Sequence, residues 1–378
     1  MHAEQLLDTA AATAGLDDFG ESSFRDGLEV LVDSLNNEAK LNAIGEPAAE
    51  ALLTGALVNR LTVTDYWNQH PELADQAITA PLFIVGVSRS GTTALSQLLS
   101  VDPANRSLLS WEAGTPVPPP KADTYHSDLR LLAAIEAEAD NMLHLLNPDF
   151  KAMHHDPPDM PIECVTLMAH DFVSLQYNAM FNIESYADWI LTRDHTATYR
   201  YHQRVLQLLQ SGVPGRWQLK TPHHALAVNT IAELYPDARF IWTHRDPATC
   251  IASTASITAS LSGTFSNADW TAFEGKLWTR MLTEMIERTS AARAALGDDR
   301  FIDVDYRQLA SDPVGTVRGI YRDLGEPFDA NFEASLAAHA KEHRQHKHGR
   351  HSYTFEDFGL NRDAINEGFA DYRRTYDL

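Results

Sequence analysis

Cysteine is nearly missing from this chain of 378 residues, with only Cys164 and Cys250 present. Two thiols exclude a disulfide framework and a cysteine-built metal site. Long apolar runs are missing as well: nothing approaches the roughly 18 residues needed to cross a bilayer. The first residues, MHAEQLLDTAAATAGLDDFGE, are acidic and carry no basic stretch followed by an apolar one. The expectation is therefore no secretion signal and a cytoplasmic location. Cations are scarce too, with 30 Lys and Arg against 52 Asp and Glu, a net charge of −22. Such a field repels nucleic acid and anionic membrane surfaces, so no nucleic-acid partner and no membrane span are expected. An anionic ligand must be held by a local cluster of cations strong enough to overcome that field.

What is present is the profile of an ordinary globular protein, 44% hydrophobic and 22% charged, without repeats or low-complexity tracts. Residues 1–78 read as helical, from Phe24, Leu28, Leu31, Val32 and Leu35 and from Leu52, Leu53, Leu57 and Leu61 at helical spacing. Four short apolar runs read as strands: Leu82–Val85, Trp217–Leu219, Phe240–Trp242 and Phe301–Val304. Helical patterns follow the first at Ala94–Leu99, the second near 224–234 and the third from Pro247, and a long one precedes the fourth near 268–296. Residues 125–212 read as helix broken by Pro148, Pro157-Pro158 and Pro161. Alternation of short strands with helices predicts an α/β fold, a parallel sheet flanked by helices, with ligands beyond the carboxyl ends of the strands.

Two motifs fall at such ends. Gly86-Val87-Ser88-Arg89-Ser90-Gly91-Thr92-Thr93 has the glycine spacing of a phosphate-binding loop, but Thr92 stands where its lysine belongs. The loop can still aim backbone N–H groups and a helix N-terminus at an anion, with hydroxyls from Ser90, Thr92 and Thr93 and a cation from Arg89. Without the lysine that reaches the far phosphates of a triphosphate, it suits a 5'-phosphate carrying one further group. In the second motif, the run into His244 ends at Arg245-Asp246-Pro247. Asp246 suits a helix N-cap and Pro247 the first helical position, which puts Arg245 at a strand end and Ser253 two turns along the helix.

Together these residues resemble the sulfotransferases that use 3'-phosphoadenosine 5'-phosphosulfate (PAPS). GVSRSGTT resembles that family's 5'-phosphosulfate loop, and Arg245 followed by Ser253 its 3'-phosphate site. DVDYRQLASDPVGTVRGIYRDLG is similar to its later strand and Asp-Pro helix. KHGRHSYTFEDFGL, residues 347–360, and the region around LDDFGESSFRDGLEVLVDSLN are similar to a bacterial branch, so the likeness spans essentially the whole chain. The resemblance implies a single P-loop-like domain, residues 1–378. Its parts would be a helical N-terminal region (1–78), the 5'-phosphosulfate loop unit (79–120), a helical acceptor region (121–212), and the 3'-phosphate unit with the C-terminal segment (213–378). Lys347, His348, Gly349 and Arg350 would close over the 3'-phosphate, with Gly349 allowing close backbone approach.

The implied reaction is metal-independent transfer of a sulfuryl group from PAPS to a hydroxyl of a small-molecule acceptor, releasing 3'-phosphoadenosine 5'-phosphate. A base must take the hydroxyl proton, and cations must neutralise the leaving oxygen. Lys220 resembles the family lysine at that oxygen, assisted by Arg89. For the base, Glu112 matches the catalytic glutamate of tyrosine-protein sulfotransferases and ranks first. His223 ranks second: His223 and His224 sit close to the histidine of cytosolic sulfotransferases, where Pro222 occupies the matching position. Glu163 and the pair His154-His155 are further candidates. The histidines around 343–351 lack accompanying carboxylates or cysteines, so no metal site is expected. The competing readings are a magnesium-dependent P-loop kinase or NTPase, with Asp303 or Asp305 on the metal, and a nucleotide-binding protein without turnover. Oligomeric state stays open, a homo-oligomer included.

Overall fold

The computed structural model describes residues 1–138, 141–148, 150, 157–343 and 353–378. Five parallel strands form one sheet: β1 (Leu82–Val85), β2 (Asn105–Ser107), β3 (Arg216–Lys220), β4 (Arg239–His244) and β5 (Phe301–Asp305), in the order β2-β3-β1-β4-β5. Each expected strand is present, and the alternation of strand and helix produces the parallel arrangement it predicts. β2 is the strand without an apolar run. Its residues, Asn105-Arg106-Ser107, pair with β3 from Asn105↔Arg216 to Ser107↔Gln218 at the sheet edge, where hydrophobic patterning carries no signal.

Period-two alternation divides the sheet's side chains between two cores. Phe83, Val85, Trp217, Leu219, Phe240, Trp242 and Phe301 join the larger one, with the N-terminal helices and the helical middle of the chain. Leu82, Ile84, Ile241, Ile302 and Val304 join the smaller one, with Leu95, Leu98 and the helix Pro313–Leu324. Both faces of the sheet are therefore covered, and β1 is buried along its whole length. The chain leaves β1 toward β2 at one edge of the sheet and leaves the adjacent β4 toward β5 at the other, so connections diverge beside β1. The crevice above its carboxyl end is where such sheets take ligands.

The N-terminal helices are Ala3–Ala14, Phe24–Asn37 and Gly45–Gln69, as the spacing of their leucines requires. The expected helix near 224–234 is two elements, a 3₁₀ turn Pro222–Leu226 and a helix Val228–Leu234. Among the described residues no helix is long and apolar enough to cross a membrane.

Candidate active site

The loop after β1 is shaped by backbone that only certain residues tolerate. Gly86 has φ 147°, and a Cβ there would stand 2.3 Å from Thr243 Oγ1, so glycine alone lets the loop leave β1 against β4. Gly91, at φ 94°, turns the chain into the helix Thr92–Leu99. Arg89 lies between them at φ 68°, the left-handed region that non-glycine residues seldom enter. That conformation is held from two sides. Arg245 Nη1 donates to the Arg89 carbonyl at 2.6 Å, and Arg89 Nε donates to Ser253 Oγ at 3.1 Å.

Arg245 follows β4 and precedes the helix Pro247–Phe265, whose N-cap Asp246 accepts from Thr249 N at 3.3 Å and Thr249 Oγ1 at 2.7 Å. Its guanidinium lies 4.1 Å from the ring centroid of Tyr306, the residue just after β5. The ends of β1, β4 and β5 are thus tied into one cationic rim. Burial, and then the neighbouring Arg245, push the Arg89 pKa down. Two neighbouring, partly buried guanidiniums are poised for an anion that neutralises both.

Lys220 ends β3 and is 1% exposed. Its Nζ donates to Thr93 Oγ1 and to Glu163 Oε1, each at 3.1 Å. Glu163 is held there because the next residue, Cys164, donates its N–H to the Lys220 carbonyl at 3.0 Å. Arg89, Thr92, Thr93, Glu163 and Arg245 all line a single cleft of about 1150 Å³. Lys220 stands directly behind two of these groups. Arg89 and Arg245 therefore border one cleft, and Lys220 is bonded to two groups of its lining.

Other expectations need correction. Glu112 is fully buried and does not border the cleft. Arg106 grips both its oxygens, through Nη1 at 2.9 Å to Oε2 and through Nη2 to Oε1, while Leu109 N and Tyr125 Oη donate to Oε2 at 3.2 and 3.1 Å. This carboxylate neutralises a buried cation, apart from the cleft. His223 is also enclosed: its Nε2 lies 3.1 Å from His195 Nδ1, and burial holds it well below its ordinary pKa. Its partner in sequence, His224, contacts Tyr199 Oη at 2.8 Å and is likewise buried.

Ser90 spends its hydroxyl inside the loop, within 2.6 Å of the Val87 carbonyl and 2.7 Å of Thr243 Oγ1. It braces the turn rather than facing the cleft. Lys347, His348, Gly349, Arg350 and the pair His154-His155 lie outside the described residues. The sequence reading missed Tyr306 and Thr243, whose position at or just beyond a strand's carboxyl end was the available signal. It also missed Lys341 and His339, which line the cleft from the helix Ala330–Glu342.

Asp303 and Asp305 are committed elsewhere. Asp303 accepts from Arg293 at 2.6 and 3.0 Å and contacts His244 Nε2 at 2.9 Å, and these partners hold its pKa down to about 2. Asp305 caps the next helix and pairs with Arg307 at 2.7 Å. A magnesium-binding carboxylate at the end of β5 would have to give up these partners.

The scaffold that carries the loop, Lys220 and Arg245 is a known one. Over its full length the chain superposes on 97% of the crystal structure of sulfotransferase STF9 from Mycobacterium avium, with a TM-score of 0.93 and 32% identity. It covers 98% of itself and 99% of sulfotransferase STF1 from Mycobacterium tuberculosis, with a TM-score of 0.88 and 34% identity. It is 24% identical over 286 residues, 73% of this chain and 70% of the relative, to the omega-hydroxy-beta-dihydromenaquinone-9 sulfotransferase Stf3 of Mycobacterium bovis. Residues 81–330, which carry all five strands and both motifs, match the profile of the Sulfotransferase family. With more than half of the sequence matched and the loop, Lys220 and Arg245 on one rim, the chain belongs to the sulfotransferase family.

Proposed function

We propose that this enzyme transfers a sulfuryl group from PAPS to the hydroxyl of a small-molecule acceptor, the whole chain working as one unit. The observation that carries this reading is that Arg89 and Arg245 line one cleft, with Lys220 bonded to Thr93 and Glu163 of its wall, in a protein whose net charge is −22. The backbone N–H groups at the start of the helix Thr92–Leu99, with Thr92 and Thr93, would hold the 5'-phosphosulfate. Arg245, with Ser253 behind Arg89, would hold the 3'-phosphate, and the segment around Lys347–Arg350 would add to it. The relative from Mycobacterium bovis carries a hydroxy compound in its name as acceptor, which fits transfer to an alcohol.

Chemically, the acceptor oxygen forms a bond to sulfur as the bond from sulfur to the bridging phosphate oxygen breaks in line. The electron pair of that bond stays on 3'-phosphoadenosine 5'-phosphate, where Lys220, aided by Arg89, offsets the growing charge. The acceptor's proton needs a base at the same place. Glu163 has the geometry: it borders the cleft, its side chain is 23% exposed, and its carboxylate lies 3.1 Å from Lys220 Nζ. It therefore replaces Glu112 and His223 in the mechanism.

Calorimetric titration with 3'-phosphoadenosine 5'-phosphate tests the donor assignment. Binding of equal strength with and without EDTA is expected, with ATP and magnesium much weaker. Magnesium-dependent ATP binding, with no response to the other nucleotide, would overturn the assignment in favour of a kinase.

A further inference from the structure

The cleft exceeds what a nucleotide alone would fill: at about 1150 Å³ it passes the upper end of ordinary small-ligand sites, roughly 300–1,000 Å³. Its charged groups, which stand among apolar ones such as Leu98 and Val314, are unevenly placed about Glu163. On one side stand Arg89, Arg245 and, from elements following β5, Tyr306, His339 and Lys341. On the other side, among the described residues, Glu163 is the last charged group. Ile162 and Val165, which flank it in sequence, begin a wall continued by Leu175, Met180, Ile257 and Leu261.

The polar residues of that wall have little to offer an acceptor. Thr254 Oγ1 donates to the Cys250 carbonyl at 2.8 Å, and Thr258 Oγ1 to the Thr254 carbonyl at 2.9 Å. Trp278 Nε1 donates at 2.8 Å to Glu274, which is fully enclosed behind the wall. Thr166 and Gln176 complete the polar set, and both are uncharged. Leu143 and Phe150 close this side. Just beyond Leu143, on the same short helix Met142–Leu146, Leu145 and Leu146 are 61% and 42% exposed. Large aliphatic side chains in water at the edge of an apolar chamber extend its surface outward.

We infer that the acceptor is an uncharged alcohol with an elongated apolar body, its hydroxyl between Glu163 and Lys220 and its distal part running past Leu143 towards Leu145 and Leu146. This rests on the donor reading above and narrows it to a substrate class. A sugar or a charged acceptor would leave most of its polar groups unpaired against the wall, where among the described residues Thr166 and Gln176 are the polar side chains left to meet them.

The test is a series of straight-chain 1-alkanols from butanol to hexadecanol, assayed with the full chain at saturating PAPS. Burial of each added methylene predicts a rise in kcat/KM of about fourfold per carbon until the wall is filled. A second arm is Leu145→Asp, at a site exposed enough to spare the fold. It should lower the hexadecanol-to-butanol ratio of kcat/KM about tenfold. A flat series, or a preference for a neutral sugar over the long alkanols, would overturn the inference. An unmoved ratio in Leu145→Asp would overturn the outward path. Titration with 3'-phosphoadenosine 5'-phosphate separates the two levels: a nucleotide that binds beside a flat series sinks only the substrate class, and one that does not bind sinks the donor reading itself.

Discussion

The two ends of the cleft are built by opposite means. The end proposed for the donor comes from short contiguous motifs, Gly86–Thr93 and Arg245–Ser253, each fixed by a strand end and a helix start. The end proposed for the acceptor is assembled from scattered positions, Ile162 to Met180, Ile257, Leu261 and Trp278. The difference reflects what each ligand demands. A phosphate needs N–H groups and cations at fixed spacing, which one turn of chain can supply. An apolar body needs only area, which any large side chains provide once the fold brings them together.

The largest effect expected from breaking the donor end is at Lys220. Lys220→Ala should lower kcat by about 10³, as loss of a group that stabilises developing charge commonly does, while calorimetry shows nucleotide affinity largely kept. Full turnover in this variant would remove Lys220 from the reaction.

The junction between the ends is sharpened by pairing two carboxylates. Glu163→Gln should cost about 10² in kcat with little change in melting temperature. Glu112→Gln should do the reverse. Stranding the Arg106 guanidinium costs about 3–5 kcal/mol of stability, and turnover by the folded fraction should persist. If Glu112→Gln folds normally and is inactive while Glu163→Gln is active, the two roles are exchanged.

The last effect concerns pH, through buried groups that do not line the cleft. His170, His195 and His202 are held at about 3, 4 and 3, and His223 and His224 lie well below 6.5, all through burial. These imidazoles are neutral in the fold but take protons in the unfolded chain, so stability falls as pH drops below about 6.5. Glu274 behaves oppositely: burial lifts it to about 8 from an ordinary 4.5. The folded chain keeps that proton where the unfolded chain has lost it, so stability also falls as pH rises from 6.5 towards 8. Thermal melts should therefore peak near pH 6.5, with the steeper limb on the acid side. Glu274→Gln should flatten the alkaline limb, and an unchanged slope there would show that Glu274 is ionised in the fold.

The sequence by itself determined four of the five strands and the turn and cap at the ends of β1 and β4, because strand burial, helix caps and phosphate-loop turns are local and leave residue-type signatures at fixed spacing. Val85, Gly86, Gly91 and Pro247 could each be read from near neighbours. It could not rank the carboxylates. Glu112 sits closer in sequence to the loop than Glu163, yet Arg106 draws it into the interior, while the hydrogen bond from Cys164 to the end of β3 brings Glu163 to Lys220 across 57 positions. Nor could it show that His223 faces His195 instead of the cleft, or that β2 forms from three polar residues at an edge. Those outcomes depend on which side chains meet after the chain has closed on itself, and burial and pairing at that stage, rather than residue type, decide which acid is sealed in and which faces the ligand.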